Sequence, residues 1–308
     1  MIVASAKDVR RCLPMDKAIG LVAEAMIAVS EDKANLPLRT AMDIDGVNKL
    51  GIMPGVLGGV YGVKLISLFP GNPAKGLSSH IGAMVLFNLE TGAPTAMVDA
   101  DALTAIRTAA ASAVATRALA REGAETLAII GTGEQALAHI EAICAVRDIR
   151  NIRIAGRTAE RAETFVAKAR KAFPSLAHTA CKNAKQAVRG SDIICTVTSS
   201  STPVLKGAWV PAGAHINAVG ASVPSMQEID EAALLTARLF TDYRPSALTQ
   251  AREIIEAGPK AEILGEIGEV LAGKVEGRQT AADITLYRSL GIAAQDLICA
   301  DFVRQQLG

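Results

Sequence analysis

Aromatic side chains are scarce in this sequence: one Trp, three Tyr and six Phe, 3% of 308 residues. A surface that stacks unpaired nucleic-acid bases needs more of them. Neither sign of charge dominates. With 32 Lys and Arg against 31 Asp and Glu, the formal net charge is +1, and no basic surplus exists to bind a phosphate backbone. No apolar run reaches the roughly 18 residues that span a bilayer. The longest candidates are cut by Arg107, Gly131 and Asn217. The first residues, MIVASAKDVRRCLPMDK, lack the apolar centre of a signal peptide. Five cysteines stand at 12, 144, 181, 195 and 299 with no CxxC. An odd number at wide spacing fits reduced thiols better than a disulfide framework or a zinc site. The four histidines, at 80, 139, 178 and 215, form no HxxxH or HExxH pair, so no metal is expected. These absences point to a cytoplasmic protein with no membrane, nucleic-acid or metal partner.

Hydrophobic residues make up 50% of the chain and charged residues 20%, enough apolar surface for a core and too much for disorder. The length suits two domains at roughly 100–200 residues each, or one large one. Residues 1 to about 35 read as helical, with Ile19, Val22, Ala23 and Met26 on one face and Pro37 as the stop. From Leu38 to Val98 short apolar runs alternate with turn signals such as PGNPAKG and NLETGAP, a meander of antiparallel strands. An Ala-rich helix follows from about 101, with Asp101 or Thr104 as cap candidates. Strands are then predicted at 126–130, 151–155, 192–198, 215–220 and 237–243. Helices are predicted near 134–146, 159–171 and 183–189. That alternation predicts a parallel sheet covered by helices. The tail, from 284 on, reads as a strand or turn followed by an amphipathic helix.

The strongest local motif is TLAIIGTGEQALAHI, a strand, then Gly131-Thr132-Gly133-Glu134-Gln135-Ala136, then a helix. This is the dinucleotide fingerprint in its expected setting. Gly131 makes the tight turn, Gly133 admits a pyrophosphate to the backbone, and Ala136 allows close helix–strand packing. The helix N-terminus then faces an anion. The next strand ends in Ala155-Gly156-Arg157-Thr158, where an NAD enzyme would place an acid for the ribose hydroxyl. Arg157 suits a 2′-phosphate instead, and Thr158 adds a hydroxyl. NADPH is therefore the expected cofactor, with NADH the alternative.

Three cations lie in segments that otherwise read as packed: Arg39 after Leu36-Pro37-Leu38, Lys64 inside the strand GVKLISLF, and Arg107 in the Ala-rich helix. A buried cation needs a partner. Two readings stand side by side: a carboxylate-binding cluster, or ordinary pairing with Asp43, Asp99 or Asp101 or plain exposure. Ser78, Ser79 and His80 form one polar cluster beside a strand. Alone, His80 reads as a supporting residue rather than a base.

The runs RTAAASAVATRALA, IIGTGEQA, PAGAHINAVGAS and SLGIAAQDL, in this order and spacing, resemble the ornithine cyclodeaminase/mu-crystallin family over nearly the whole chain. The resemblance implies an α/β chain in two domains. A Rossmann dinucleotide-binding domain would occupy 118–283. An α+β substrate-binding and dimerisation domain would occupy 1–117, completed by the C-terminal helix within 284–308. It implies a homodimer through that first domain. It also implies that Arg39, Lys64 and Arg107 grip a substrate carboxylate, and that Thr108, Thr196, Val197, Thr198 and Val219 line the nicotinamide nucleotide. Met53 and His80 are further candidates on the substrate side.

Two departures from the cyclodeaminase pattern carry weight. Gly51 stands where those enzymes have an acid for the distal ammonium, and Ser222 where they have an Asp as general acid/base. Both lose a carboxylate. The NAVGAS turn and the Gly-Arg-Thr strand end resemble the ketimine-reducing branch. The expected activity is NAD(P)H-dependent reduction of a small cyclic imino acid, Δ1-pyrroline-2-carboxylate or Δ1-piperideine-2-carboxylate, with Lys64, Arg107 and Ser222 as catalytic candidates. The competing readings are an ornithine cyclodeaminase, an alanine dehydrogenase and a non-catalytic nucleotide- or small-molecule-binding protein.

Overall fold

The first part of the chain is organised around one mixed sheet, and the later part around a parallel one. The computed structural model describes residues 1–308, apart from the side chain of Pro73. These fall into two units, Met1–Arg107 with Ile292–Gly308, and Thr108–Gly291. The first division falls inside the Ala-rich helix, and the second follows the last strand of the parallel sheet. The sequence suggested 117/118 and 283/284. Strand 285–288 pairs within the parallel sheet, so it belongs to the second unit.

The first unit runs β1 (Ile2–Ala4), α1 (Ala6–Cys12), α2 (Met15–Ser30), β2 (Ala34–Asn35), β3 (Thr40–Asp43), β4 (Lys49–Leu57), β5 (Val60–Leu68), β6 (His80–Phe87) and β7 (Pro94–Asp99). Helix α3 (Ala100–Leu119) leads out of it. The second unit continues with β8 (Thr126–Ile130), α4 (Glu134–Cys144), β9 (Asn151–Ala155), α5 (Ala159–Ala172), β10 (Ala177–Cys181), α6 (Ala184–Val188), β11 (Ile193–Thr196) and β12 (His215–Ala218). It ends with α7 (Glu231–Thr236), β13 (Arg238–Thr241), α8 (Arg244–Gln250), α9 (Arg252–Ala257), β14 (Ile263–Glu266), α10 (Ile267–Leu271) and β15 (Thr285–Arg288). The chain returns to the first unit in α11 (Ala293–Leu307).

In the first unit the order is β1-β7-β6-β5-β4-β2, with β3 also on β4. The meander expected from Leu38 to Val98 is there, antiparallel throughout. Alternate residues of β4 and β5 are buried, as period-two side chains on one covered face must be. Helix α11 packs on that face and against α2.

The N-terminus differs from its expected single helix. Residues 2–4 pair in parallel with β7. Ser5 then caps α1 through a box with Asp8. Pro14, which lacks the N–H a continuous helix would use, precedes α2. That helix stops at Ser30, followed by Asp32 at φ 56°, well before Pro37. Helix α3 also starts one step early. Oδ1 of Asp99 accepts the Ala102 N–H at 2.8 Å, so Asp99 is the capping acid rather than Asp101 or Thr104.

The second unit is an eight-stranded, all-parallel sheet ordered β10-β9-β8-β11-β12-β15-β13-β14. It is a Rossmann-type α/β fold. Its central strands are buried on both faces. Leu127, Ile129, Ile152 and Ile154 point into one core, and Ala128, Ile130, Ile194 and Ile216 into the other. Strand order reverses between β8 and β11, which sit side by side. Ligands bind outside the carboxyl ends of strands at such a point. No helix of the described residues is long and apolar enough to cross a membrane.

Candidate functional sites in the two units

The first site lies on the covered face of the first unit's sheet. Lys64 sits mid-strand in β5, opposite Met53 on β4 and Met84 on β6, and is 2% exposed. Its Nζ donates to Oδ1 of Asp296 at 3.1 Å. The Nε of Arg107 donates to the same oxygen at 2.9 Å, and its Nη1 to Oε1 of Gln295 at 3.0 Å. For Lys64 and Arg107 the partner is thus Asp296 rather than Asp43, Asp99 or Asp101. Nothing local could reveal it, because it lies 232 residues from Lys64 in the chain.

Arg39 is half-buried and adds its positive charge at Lys64. Burial pushes the Lys64 ammonium down to about 7; Asp296 opposes that shift, while Arg107 and Arg39 add to it. Burial alone would raise Asp296, but the charges of Arg107 and Lys64 outweigh it and hold the carboxyl below its ordinary value. Two cations, Lys64 and Arg107, share one carboxylate oxygen, so the pair carries a surplus of positive charge and suits an anionic ligand.

Met53 shares this buried face. His80 lies at the exposed start of β6, opposite Leu68 rather than Lys64, and bonds Ser79 Oγ at 2.9 Å through Nδ1. Gly51 faces Ile66, and a Cβ built there would stand 3.0 Å from Ile66 Cγ2. A longer acid at this position has no room unless Ile66 moves.

The second site is the carboxyl edge of β8, β9, β11 and β12. Gly131 has φ +122°, and a Cβ on it would come 2.7 Å from the Val197 carbonyl. The turn therefore demands glycine. Gly133 caps α4 with no side-chain hydrogen bond, and a Cβ there would meet nothing within 4 Å. The open side of Gly133 and the free N-terminus of α4 form a cradle for an anion. Gln135, with a buried unpartnered Oε1, and Ala136 follow in the first turn, beside exposed Glu134. Thr132 is half-buried, its Cγ2 3.2 Å from a Cβ built on Gly156. Arg157 is exposed just past β9. Thr158 is the N-cap of α5, its Oγ1 accepting from Arg161 N at 3.3 Å. These residues fit a dinucleotide.

Sequence reasoning missed Glu228. Buried at the same edge, it gathers four donors. Oε2 accepts from Thr196 Oγ1 at 2.9 Å and Gly220 N at 2.6 Å. Oε1 accepts from Thr198 N at 2.5 Å and Thr198 Oγ1 at 2.7 Å. Burial raises this carboxyl, and the Thr198 and Thr196 donors pull against the rise. Glu228 thus ties the loop after β11 to the turn after β12. Val197 and Val219 are buried between them in the adjoining core, and Ser222 is half-buried. Thr108 is buried with Oγ1 unpartnered. Glu228 stands in the polar run QEID, which gave no signal of a buried role.

The ornithine cyclodeaminase/mu-crystallin family model matches residues 1–308. The chain belongs to that family. Among curated members it is 35% identical over 315 residues to a Δ1-pyrroline-2-carboxylate reductase of Bacillus cereus, covering 99% of this chain and 96% of the relative. It is 36% identical over 256 residues to the ketimine reductase mu-crystallin of Mus musculus, covering 82% and 79%. The solved Δ1-pyrroline-2-carboxylate reductase of Thermococcus litoralis, in complex with NADH and L-proline, superposes with a TM-score of 0.95 at 32% identity, covering 99% and 97%. The family's two-part fold, expected from its motifs, is the fold found.

Proposed function

We propose that this protein reduces a small cyclic ketimine, Δ1-pyrroline-2-carboxylate or its six-membered homologue, to the cyclic L-amino acid in the cytoplasm. The observation that carries this reading is the buried cluster of Lys64 and Arg107 on Asp296, with Arg39 adding positive charge. It offers cations to a carboxylate, while Gly51 and Ser222 offer none of the acids a cyclodeaminase uses.

The nicotinamide nucleotide would be held by the Gly131–Ala136 turn, with Thr196, Val197, Thr198 and Val219 beside it, and Thr108 toward its reactive end. When bound in reduced form it supplies the hydride. The rest falls to the chain. Arg107, Lys64 and Arg39 hold the substrate carboxylate and fix the orientation of the ring, with Met53 as an apolar wall and His80 on the substrate side. Orientation of this kind supplies much of the rate when the reaction partner is already electrophilic. Lys64, brought close to neutrality by burial, is suited to hold or return the imine proton near pH 7. Ser222 contributes a neutral hydroxyl.

Arg157 supports NADPH as the preferred cofactor. It is exposed, and it makes no hydrogen bond or ion pair among the described residues. A cationic fork without a protein partner suits a 2′-phosphate.

A homodimer through the first unit is supported by the other face of its sheet. One cross-strand row reads Pro54, Val63, Val85, Met97, Val3, and the next holds Ile52, Leu65 and Ala83. Val3 is 61% and Met97 37% exposed. An apolar face of this breadth is a contact surface. Light scattering should give a dimer for the wild type and a monomer for Val85→Glu/Met97→Glu.

The reaction is tested with purified protein and NADPH or NADH. Each imine, pyruvate plus ammonia, and ornithine are offered in turn. Imine-dependent loss of reduced nicotinamide absorbance is expected. Ammonia release from ornithine with no imine reduction would overturn the reading.

A further inference from the structure

Asp296 and Gln295 are consecutive residues in the first turn of α11, and both are fully buried. Their bonds are unevenly shared. One oxygen of Asp296 serves both Lys64 and Arg107, while its other oxygen is buried without a partner among the described residues. Gln295 gives its carbonyl to Arg107, and its Nε2 is likewise buried and unpartnered. Arg107 thus has Nε and Nη1 engaged, and among the described residues its Nη2 donates to no protein atom. Lys64 uses one of its three donors.

A purely structural ion pair would saturate its groups, because leaving buried donors and acceptors unmade is costly. Here the cations are held from one side only. Two cations on one oxygen also repel each other, and the carboxylate between them makes the arrangement stable.

We propose that Asp296, assisted by Gln295, is a positioning residue of the anion site, fixing the Arg107 guanidinium and the Lys64 ammonium with their spare donors available to a substrate carboxylate and keeping the Lys64 proton in place. This rests on the carboxylate-binding reading of Lys64 and Arg107 above. The groups that face Lys64 are few. From α11 comes Asp296, from α3 comes Arg107, and from the segment after β2 comes Arg39. The cross-strand neighbours Met53 and Met84 carry no charge. Asp296 is therefore the one anion opposing burial at Lys64. Without it, Lys64 loses its proton at lower pH.

The test follows the 13Cε signal of Lys64 across pH in the dinucleotide-loaded protein, assigned by its absence in Lys64→Arg. Binding of L-proline is followed by calorimetry over the same range. The wild-type midpoint is expected near 7. In Asp296→Asn, which keeps shape but not charge, the midpoint should fall by about one unit or more. The pH at which L-proline binding declines should move with it. An unchanged midpoint in a folded Asp296→Asn protein overturns the proposal. Should that variant not fold, Asp296→Glu keeps the charge and lengthens the arm. Its Lys64 midpoint should stay within about half a unit of wild type while L-proline binding weakens about tenfold from misplaced cations; undiminished binding overturns the proposal. If the wild type reduces no imine and the Lys64 midpoint still moves, the reaction is wrong and the positioning role stands. If imines are reduced and the midpoint does not move, the reverse holds.

Discussion

Arg107 reaches Asp296 across 189 positions of sequence and donates its Nε proton to Oδ1 at 2.9 Å. That contact explains how a buried cation stands inside a helix built mostly of Ala. It also makes the second end of the chain part of the first unit's chemistry, because Asp296 arrives on α11 after the whole parallel sheet has been completed.

Arg107 and Ser222 should therefore differ sharply when truncated. Arg107→Ala removes a charge-assisted contact to the substrate carboxylate, about 1.5–3 kcal/mol. The expected loss in kcat/KM for imine reduction is about tenfold to a hundredfold. Ser222→Ala removes at most a neutral hydrogen bond of about 0.5–1.5 kcal/mol, so its loss should be about tenfold or less. Steady-state rates on both imines decide the matter. A larger effect at Ser222 would return the lyase reading to the front.

Cofactor choice should turn on Arg157. Replacing it by Asp puts a carboxylate where a 2′-phosphate would bind, so NADPH affinity should fall far more than NADH affinity. Fluorescence titration of each cofactor measures this. Equal weakening of both would mean that Arg157 does not read the 2′ position.

The two fingerprint glycines should respond differently, and the structure says why. A Cβ at Gly133 meets nothing within 4 Å, so Gly133→Val should fold normally and lose dinucleotide binding. A Cβ at Gly131 stands 2.7 Å from the Val197 carbonyl, on a backbone at φ +122°. Gly131→Ala should lower stability by about 1–3 kcal/mol. Urea unfolding together with cofactor titration separates these outcomes. A Gly133→Val protein that folds and still binds the cofactor would place the nucleotide elsewhere.

Acid should destabilise the second unit through two buried histidines. Burial pushes His139 down to about 4 and His215 down to about 3. His215 also feels the charge of Arg278, and is held by Thr285 at 3.0 Å and Asn217 at 3.2 Å. Both folded values lie below the unfolded one near 6.5, so between them the unfolded chain binds more protons and stability rises with pH. The contribution is complete above about 6.5 and is lost as pH falls toward 4 and 3. At pH 5 the loss should be roughly 2 kcal/mol per histidine. Urea midpoints at pH 7.5 and 5 test it, and His139→Gln should flatten the difference. A midpoint independent of pH over this range would contradict the burial of these side chains.

What the sequence determined by itself was everything carried by short spacing. Short apolar runs marked β8, β9, β11, β12 and β13 because parallel strands buried on both faces must be apolar. The turn from Gly131 to Ala136 was legible because its chemistry is contained in six consecutive residues. Strands β10 and β14 were not, since both stand at the edges of the sheet, one of them polar and the other interrupted by Gly265. The early strand Ile2–Ala4 was hidden too, because three residues become a strand only when β7 is there to pair with them.

The tertiary structure alone decided which charges meet. The sequence marked Lys64 and Arg107 as cations in packed segments, but their shared carboxylate comes from α11. Glu228, with four donors from two separate loops, gave no periodic signal. Side-chain periodicity follows from backbone geometry and is written locally. A buried ion pair is written by burial, which drives distant segments to supply one another's missing partners, and no spacing in the chain records that choice.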